Sequence, residues 1–183
     1  SEINEEMYRK ITENHEADPE EARETAKIVA LSAIKYGDLS NQASKDYIFD
    51  TDKFTSFEGD TGPYILYTIV RIKSILAKYQ ANGGTLDGLQ ITAAHGDSEK
   101  ALMLELTRFS NAIYQAYEEI APHKICSYIY DLANAFNRFY HENRILAEED
   151  QATQGSWIAL LDLTKQVLEV CIDLLGFTAP ERM

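Results

Sequence analysis

Apolar side chains recur along most of this chain at steps of three and four, the spacing that places them on one face of an α-helix. Ile65, Ile69, Ile72, Leu76 and Tyr79 form the first clear run, and Asn82-Gly83-Gly84 closes it. Leu102, Leu106, Phe109, Ile113 and Ala116 follow, with Ser98 placed to cap their helix. Pro122 opens a third stretch, whose stripe is Ile125, Ile129, Leu132, Phe136 and Phe139. The last carries Trp157, Leu161, Leu168, Ile172 and Leu175 and stops at Gly176. Ahead of these, Asp18-Pro19-Glu20-Glu21 supplies a capping side chain, a proline at the first helical position and carboxylates at the positive end of the dipole. That helix is expected over about 19–36, with Gly37 as its stop. Residues 1–17 carry no strong period. Residues 38–61 break the rhythm, and Asp46-Tyr47-Ile48-Phe49-Asp50-Thr51-Asp52 reads as an ordered extended segment. Residues 80–97, rich in glycine and small polar side chains, read as a flexible loop. The pattern predicts an all-α protein: an antiparallel helical bundle preceded by a helix and an irregular extended segment.

Composition narrows the classes of function. The 183 residues suit one domain with a core of its own. Lys and Arg number 17 against 30 Asp and Glu, a net charge of −13, which argues against gripping nucleic acid through its phosphates or docking on an anionic membrane. Cys126 and Cys171 sit in apolar helical surroundings and read as buried free thiols. The histidines His15, His95, His123 and His141 are scattered and fit no metal-ligand spacing. The carboxylates of the 46–52 segment read as a surface loop rather than a cation site. No apolar run approaches the length of a membrane span, the acidic N-terminus is unlike a signal peptide, and a reducing cytosol is the expected compartment.

Two groups of side chains carry candidate chemistry. On the helix predicted over 122–144, the side opposite the core stripe holds Tyr130, Asn134, Asn137, His141 and Arg144, flanked by Arg138 and Tyr140. Asn and Arg can read base edges by paired hydrogen bonds, while Tyr and Arg planes can stack on unpaired bases. A solvated helix face has the same periodicity. After Gly62-Pro63, Tyr64, Tyr67 and Arg71 share a second face, with Lys73 nearby; tyrosines at a helix–helix seam would look the same. No nucleophile elbow, P-loop or H-E-x-x-H is present, so no active site is legible.

Several longer stretches add to this. Ala33-Ile34-Lys35-Tyr36-Gly37-Asp38-Leu39-Ser40-Asn41 is followed by Lys45-Asp46-Tyr47-Ile48-Phe49-Asp50, then by Ser56-Phe57-Glu58-Gly59-Asp60-Thr61-Gly62-Pro63-Tyr64 with Leu66-Tyr67 and Arg71. Later come Leu132-Ala133-Asn134-Ala135-Phe136-Asn137-Arg138-Phe139-Tyr140 and the end Ala179-Pro180-Glu181-Arg182-Met183. In this order and spacing they closely resemble the C-terminal part of the arginyl-tRNA synthetases, class I aminoacyl-tRNA synthetases. The resemblance implies a DALR-type helical anticodon-binding domain over 61–183. It makes residues 1–60, with the helix of about 19–36 and the extended loop, a connecting region that follows the catalytic domain. The family activates arginine with ATP and Mg²⁺ and transfers it to tRNA through His-Ile-Gly-His-like and Lys-Met-Ser-Lys-Ser-like motifs. Neither occurs here, so this stretch is expected to hold no cofactor and not to aminoacylate alone.

The resemblance further implies tRNA(Arg) as partner, neither DNA nor membrane, in a cytoplasmic and monomeric protein. Tyr140, Arg144 and the terminal Met183 match positions facing the anticodon, although the family often carries an aromatic where Arg144 stands. Where the family commonly has Pro-Tyr-Leu-Gln-Tyr, this chain has Ile65-Leu66 between Tyr64 and Tyr67. Asn134, Asn137 and Arg138 enter from the helical-face argument alone, and Arg71 from its place one turn beyond Tyr67. Arginine anticodons mostly share a middle cytosine, so a hydrogen-bonding pocket for that base is the expected specificity device. The rival reading is a helical protein-interaction or regulatory module without specific RNA binding. The charge divides unevenly: residues 1–61 hold 7 basic and 15 acidic groups, residues 62–183 hold 10 and 15. Base stacking and hydrogen bonding are therefore expected to outweigh phosphate attraction, with a shallow salt dependence.

Overall fold

A computed structural model describes residues 2–13 and 18–183. Among them the chain forms eight α-helices and no strand: α1 (Glu2–Thr12), α2 (Pro19–Leu39), α3 (Thr51–Phe54), α4 (Gly62–Ala81), α5 (Asp97–Thr107), α6 (Phe109–Glu118), α7 (His123–Glu142) and α8 (Gln151–Leu174), with a single 3₁₀ turn at Ile145–Ala147. The all-α bundle expected from the pattern is the fold observed.

Three of the four long helices, α2, α4 and α8, begin where a side chain can take up free N–H groups, and α7 begins after Pro122 without one. The Asp18 carboxylate accepts from the backbone of Glu20 and Glu21, Thr61 from Tyr64, and Asp150 from Thr153. Gly176, at φ +82°, ends α8 as expected. Three of the stripes read from sequence are buried, with Ile65, Ile69 and Ile72 on α4, Leu132, Phe136 and Phe139 on α7, and Leu161 and Leu168 on α8 all fully enclosed; in the fourth, Leu102 and Ala116 are buried while Leu106, Phe109 and Ile113 are half-buried.

Four local expectations are corrected. Residues 2–12 form a helix after all, because Met7 and Ile11 bury one turn apart against α2. Two apolar positions are too few to stand out as a period, and only packing reveals them. Gly37 does not stop α2, which runs on to Leu39. A Cβ at Gly37 would come within 3.0–3.1 Å of the Phe54 ring, so the glycine is there for close packing and not for a turn. The helix expected to start at Ser98 and continue to Ala116 is instead two helices, broken at Arg108, and α5 begins at Asp97 with Gly96 before it. Ser98 is buried within the first turn, where its hydroxyl accepts from Asn143. Residues 51–54 of the extended segment coil into α3, capped by the Asp50 carboxylate. His15 lies outside the described residues.

One buried apolar cluster runs from Met7 to Phe177. Helix α1 packs on α2, α2 on α4, α4 on both α7 and α8, and α5 and α6 cover α7. The 82–96 segment lies along α8, with Leu86 and Leu89 against the core and Thr92 bonded through N–H and hydroxyl to the Ser156 hydroxyl. Cys126 and Cys171 are buried free thiols, and burial pushes each up to about 12, which leaves them unreactive at neutral pH.

Tyr36 ties α2 to the rest. Its side chain is fully buried, and its hydroxyl proton is shared between the Asp60 carboxylate and the Cys126 carbonyl, 2.9 Å away. Burial, and then the Asp60 charge, hold the phenol well above the ordinary tyrosine range, so it is always the donor. Tyr36→Phe strands a carboxylate and a carbonyl without their proton, and is expected to lower unfolding free energy by about 1–3 kcal/mol in urea denaturation.

Candidate functional site

The chemistry-bearing side chains meet where the first half of α4 crosses the second half of α7. On α4, Tyr67, Arg71, Ser74 and Lys78 succeed one another at steps of four, three and four, so they form one ridge. The Arg71 guanidinium lies 4.7 Å from the Tyr67 ring centre and 4.8 Å from that of Tyr140, which α7 brings in from the other side. Both are cation–π distances. Tyr140 is itself backed by Phe136, whose ring lies 6.1 Å away and 28° from parallel.

Beneath this stack runs a polar seam. Asn137, 8% exposed, accepts from Arg71 Nη1 at 2.5 Å and donates to the Tyr64 hydroxyl at 2.9 Å and the Thr68 hydroxyl at 3.1 Å. The Tyr64 hydroxyl in turn donates to Asn134 Oδ1 at 2.8 Å, and the Tyr64 ring meets Tyr130 edge-on. Burial raises the Tyr64 phenol above its usual range, which keeps it protonated as this chain of bonds requires. The middle of the polar stripe of α7, at Asn137, is thus the α4–α7 contact, while Asn134, His141 and Arg144 are exposed.

The C-terminal tail closes the third side. After Gly176 the chain turns back, burying Phe177 and Pro180. Lys73 Nζ holds the tail by donating to Glu181 at 2.8 Å and to the Pro180 carbonyl at 3.4 Å, with Glu169 of α8 at 3.5 Å. The Lys73 ammonium keeps the Glu181 carboxyl below the usual carboxylate range. Met183 is thereby brought to a groove of about 880 Å³, lined by Tyr67, Arg71, Tyr140 and Met183 together with Ser74, Lys78 and Arg182. The groove walls carry four cations, Arg71, Lys73, Lys78 and Arg182, against one carboxylate, Glu181, in a chain of net charge −13.

Of the nine site residues expected from sequence, the structure gathers seven: Tyr64, Tyr67, Arg71, Asn134, Asn137, Tyr140 and Met183. The other two stand apart. Arg138 pairs with Glu142 at 2.9 Å on the side of α7 that faces Asp97 and Ser98 of α5. Arg144 lies beyond the end of α7, exposed ahead of the 3₁₀ turn. Thr68, Ser74, Lys78 and Arg182 were not expected from sequence. For Ser74 and Lys78 the signal was present, since they continue the step from Tyr67 and Arg71.

An all-α bundle whose groove carries cations and exposed aromatic rings has groups on which unpaired bases can stack. Comparison with known proteins gives the family. Residues 65–183 match the family model of the DALR anticodon binding domain, and the chain belongs to that family. It is 62% identical to the arginine–tRNA ligase of Agathobacter rectalis and 51% identical to that of Alkaliphilus oremlandii, over 100% and 99% of this chain. These alignments take in 32% and 31% of the two relatives, so the chain spans about a third of their length. Among solved structures, the whole chain superposes on 32% of the arginyl-tRNA synthetase of Thermus thermophilus, with a TM-score of 0.85 and 31% identity. The arginyl-tRNA synthetase of Plasmodium falciparum is similar over the same shares, at 0.80 and 27%.

Among the described residues no helix is long and apolar enough to cross a membrane.

Proposed function

We propose that this chain is the anticodon-reading part of an arginine–tRNA ligase and that the groove between α4, α7 and the C-terminal tail takes a splayed base of the tRNA(Arg) anticodon. The observation that carries this reading is the Arg71 guanidinium between two tyrosine faces, on the lining of the groove and, among the described residues, with one hydrogen-bond partner, Asn137. A guanidinium offers only donors and so selects a base edge of acceptors. Cytosine, with its N3 and O2 acceptors side by side, suits it, and the middle base of most arginine anticodons is cytosine. Tyr140, with 36% of its surface exposed, offers a base the part of its ring that Arg71 and Phe136 leave open, and Met183 is an apolar wall for the same base.

Lys78 and Arg182, farther along the groove, suit the flanking phosphates. The family attaches arginine to tRNA with ATP and Mg²⁺. Among the described residues no three His, Cys, Asp or Glu side chains converge as a metal site. A monomeric, cytoplasmic protein is part of the same reading.

The test is a fluorescence-anisotropy titration of an RNA hairpin carrying an arginine anticodon, at fixed salt. Tyr140→Ala is expected to weaken binding by about 1–3 kcal/mol, the worth of one stacked base, while Tyr140→Phe binds nearly as the parent chain does. Unchanged affinity in the alanine variant would remove Tyr140 from the interface. Equal affinity for a hairpin with a changed middle base would favour the rival reading, a protein-interaction module.

A further inference from the structure

The groove residues do not all do the same work. We propose that Asn137 is the positioning residue of the site: it touches no base and instead fixes the Arg71 guanidinium between Tyr67 and Tyr140. This deepens the reading above and rests on it for its link to RNA.

The hydrogen bonds engage both amide protons and the carbonyl oxygen of Asn137, and burial at 8% exposure keeps what remains from a ligand. Its two amide protons go to the Tyr64 and Thr68 hydroxyls, and its carbonyl oxygen faces Arg71, all in the buried seam. The orientation of the amide is unambiguous. The Tyr64 hydroxyl already donates to Asn134, and that of Thr68 to the Tyr64 carbonyl, so both present lone pairs to Asn137. Turning the amide over would set its NH₂ against the guanidinium and its oxygen against two acceptors.

What the contact supplies is order. Arginine carries a long side chain whose rotamer freedom is lost on binding unless it has been lost already. Two ring faces confine the guanidinium to a plane, but they leave it free to slide and turn within that plane. The bond from Nη1 to Asn137 removes that freedom and sets which donor edge faces the groove. A neutral amide does this without cancelling the positive charge, as a carboxylate at the same place would.

The experiment uses the 183-residue chain in two arms. Without RNA, the Arg71 side-chain resonances should be shifted by the ring currents of Tyr67 and Tyr140. In Asn137→Ala they should move toward random-coil positions, and their staying in place overturns the proposal. With RNA, Asn137→Ala is expected to weaken binding of the middle-cytosine hairpin about tenfold, the worth of one charge-assisted hydrogen bond, and to narrow its advantage over a middle-uracil hairpin. In an Arg71→Ala background the same substitution should have almost no further effect. An additive loss would mean that Asn137 acts on the RNA or on the fold directly, and would overturn the proposal.

Asn137→Asp keeps the oxygen and guards against a misfolded alanine variant. It should leave the Arg71 resonances in place and weaken RNA binding through the lost charge; displaced Arg71 resonances or undiminished affinity count against the proposal. If Arg71→Ala binds RNA as the parent chain does, the anticodon reading fails, while the resonance arm still decides what Asn137 does.

Discussion

Replacing Arg71 with alanine should weaken binding of an arginine-anticodon hairpin by about 2–3 kcal/mol, the range for hydrogen bonds that a charged group makes with a ligand. It should also lower unfolding free energy by about 1–3 kcal/mol, because the substitution removes two cation–π contacts and leaves the buried Asn137 oxygen without its donor. The loss of affinity falls on the bound state, where the guanidinium is the donor between two tyrosine faces. Arg71→Lys should recover little, because a compact ammonium cannot lie flat between the rings and offer a fork of donors at its edge. Titrating the parent chain and both variants against middle-cytosine and middle-uracil hairpins measures this. The alanine variant should bind the two nearly alike. A loss below about 0.5 kcal/mol, the scale of an exposed ion pair, would place the base elsewhere.

The largest effect on stability is expected at Gly62, the first residue of α4. A Cβ there would lie closer than 3.0 Å to the backbone carbonyl of Ser32 in α2, so the two helices approach at a point with no room for any side chain. Neither wall is the flexible end of a side chain. Gly62→Ala must push α2 and α4 apart, which opens the packing around Tyr36, Ile65 and Leu66, all fully buried. Overpacking against backbone of this kind costs about 3 kcal/mol or more. For a chain of this size that corresponds to a fall of roughly 6–12 °C in melting temperature, readable by calorimetry. A melting temperature within about 2 °C of the parent would show that the helices separate more easily than this packing implies. The displaced α4 also carries Tyr67 and Arg71, so RNA binding should weaken in the same variant.

These two residues differ in how they can be read from sequence. Gly62 stands in a stretch with Pro63 behind it and Thr61 ahead, which marks a helix start, but nothing local says that the glycine is pressed against α2. Gly37 teaches the same lesson: as a helix stop it seemed explained, whereas its bare Cα receives the Phe54 ring in the middle of a continuing helix. Arg71 could be placed beside Tyr64 and Tyr67 by counting along one helix, but its contact with Tyr140 depends on how α4 crosses α7.

The long helices α2, α4, α7 and α8, their buried stripes and the grouping of Tyr64, Tyr67 and Arg71 follow from the sequence by itself, because period and capping are properties of residues a few positions apart. The polar stripe on α7 was equally visible, but its meaning was not. Only the tertiary structure turns Asn137 inward to Arg71 and brings Met183 to the groove through the hold of Lys73 on the tail. Each of those outcomes joins residues of separate elements, and no local pattern records which helix a side chain will face. The same holds for charge. A chain at −13 assembles a groove whose charged lining side chains are four cations and one carboxylate, because folding distributes charges in space without regard to their sum along the chain.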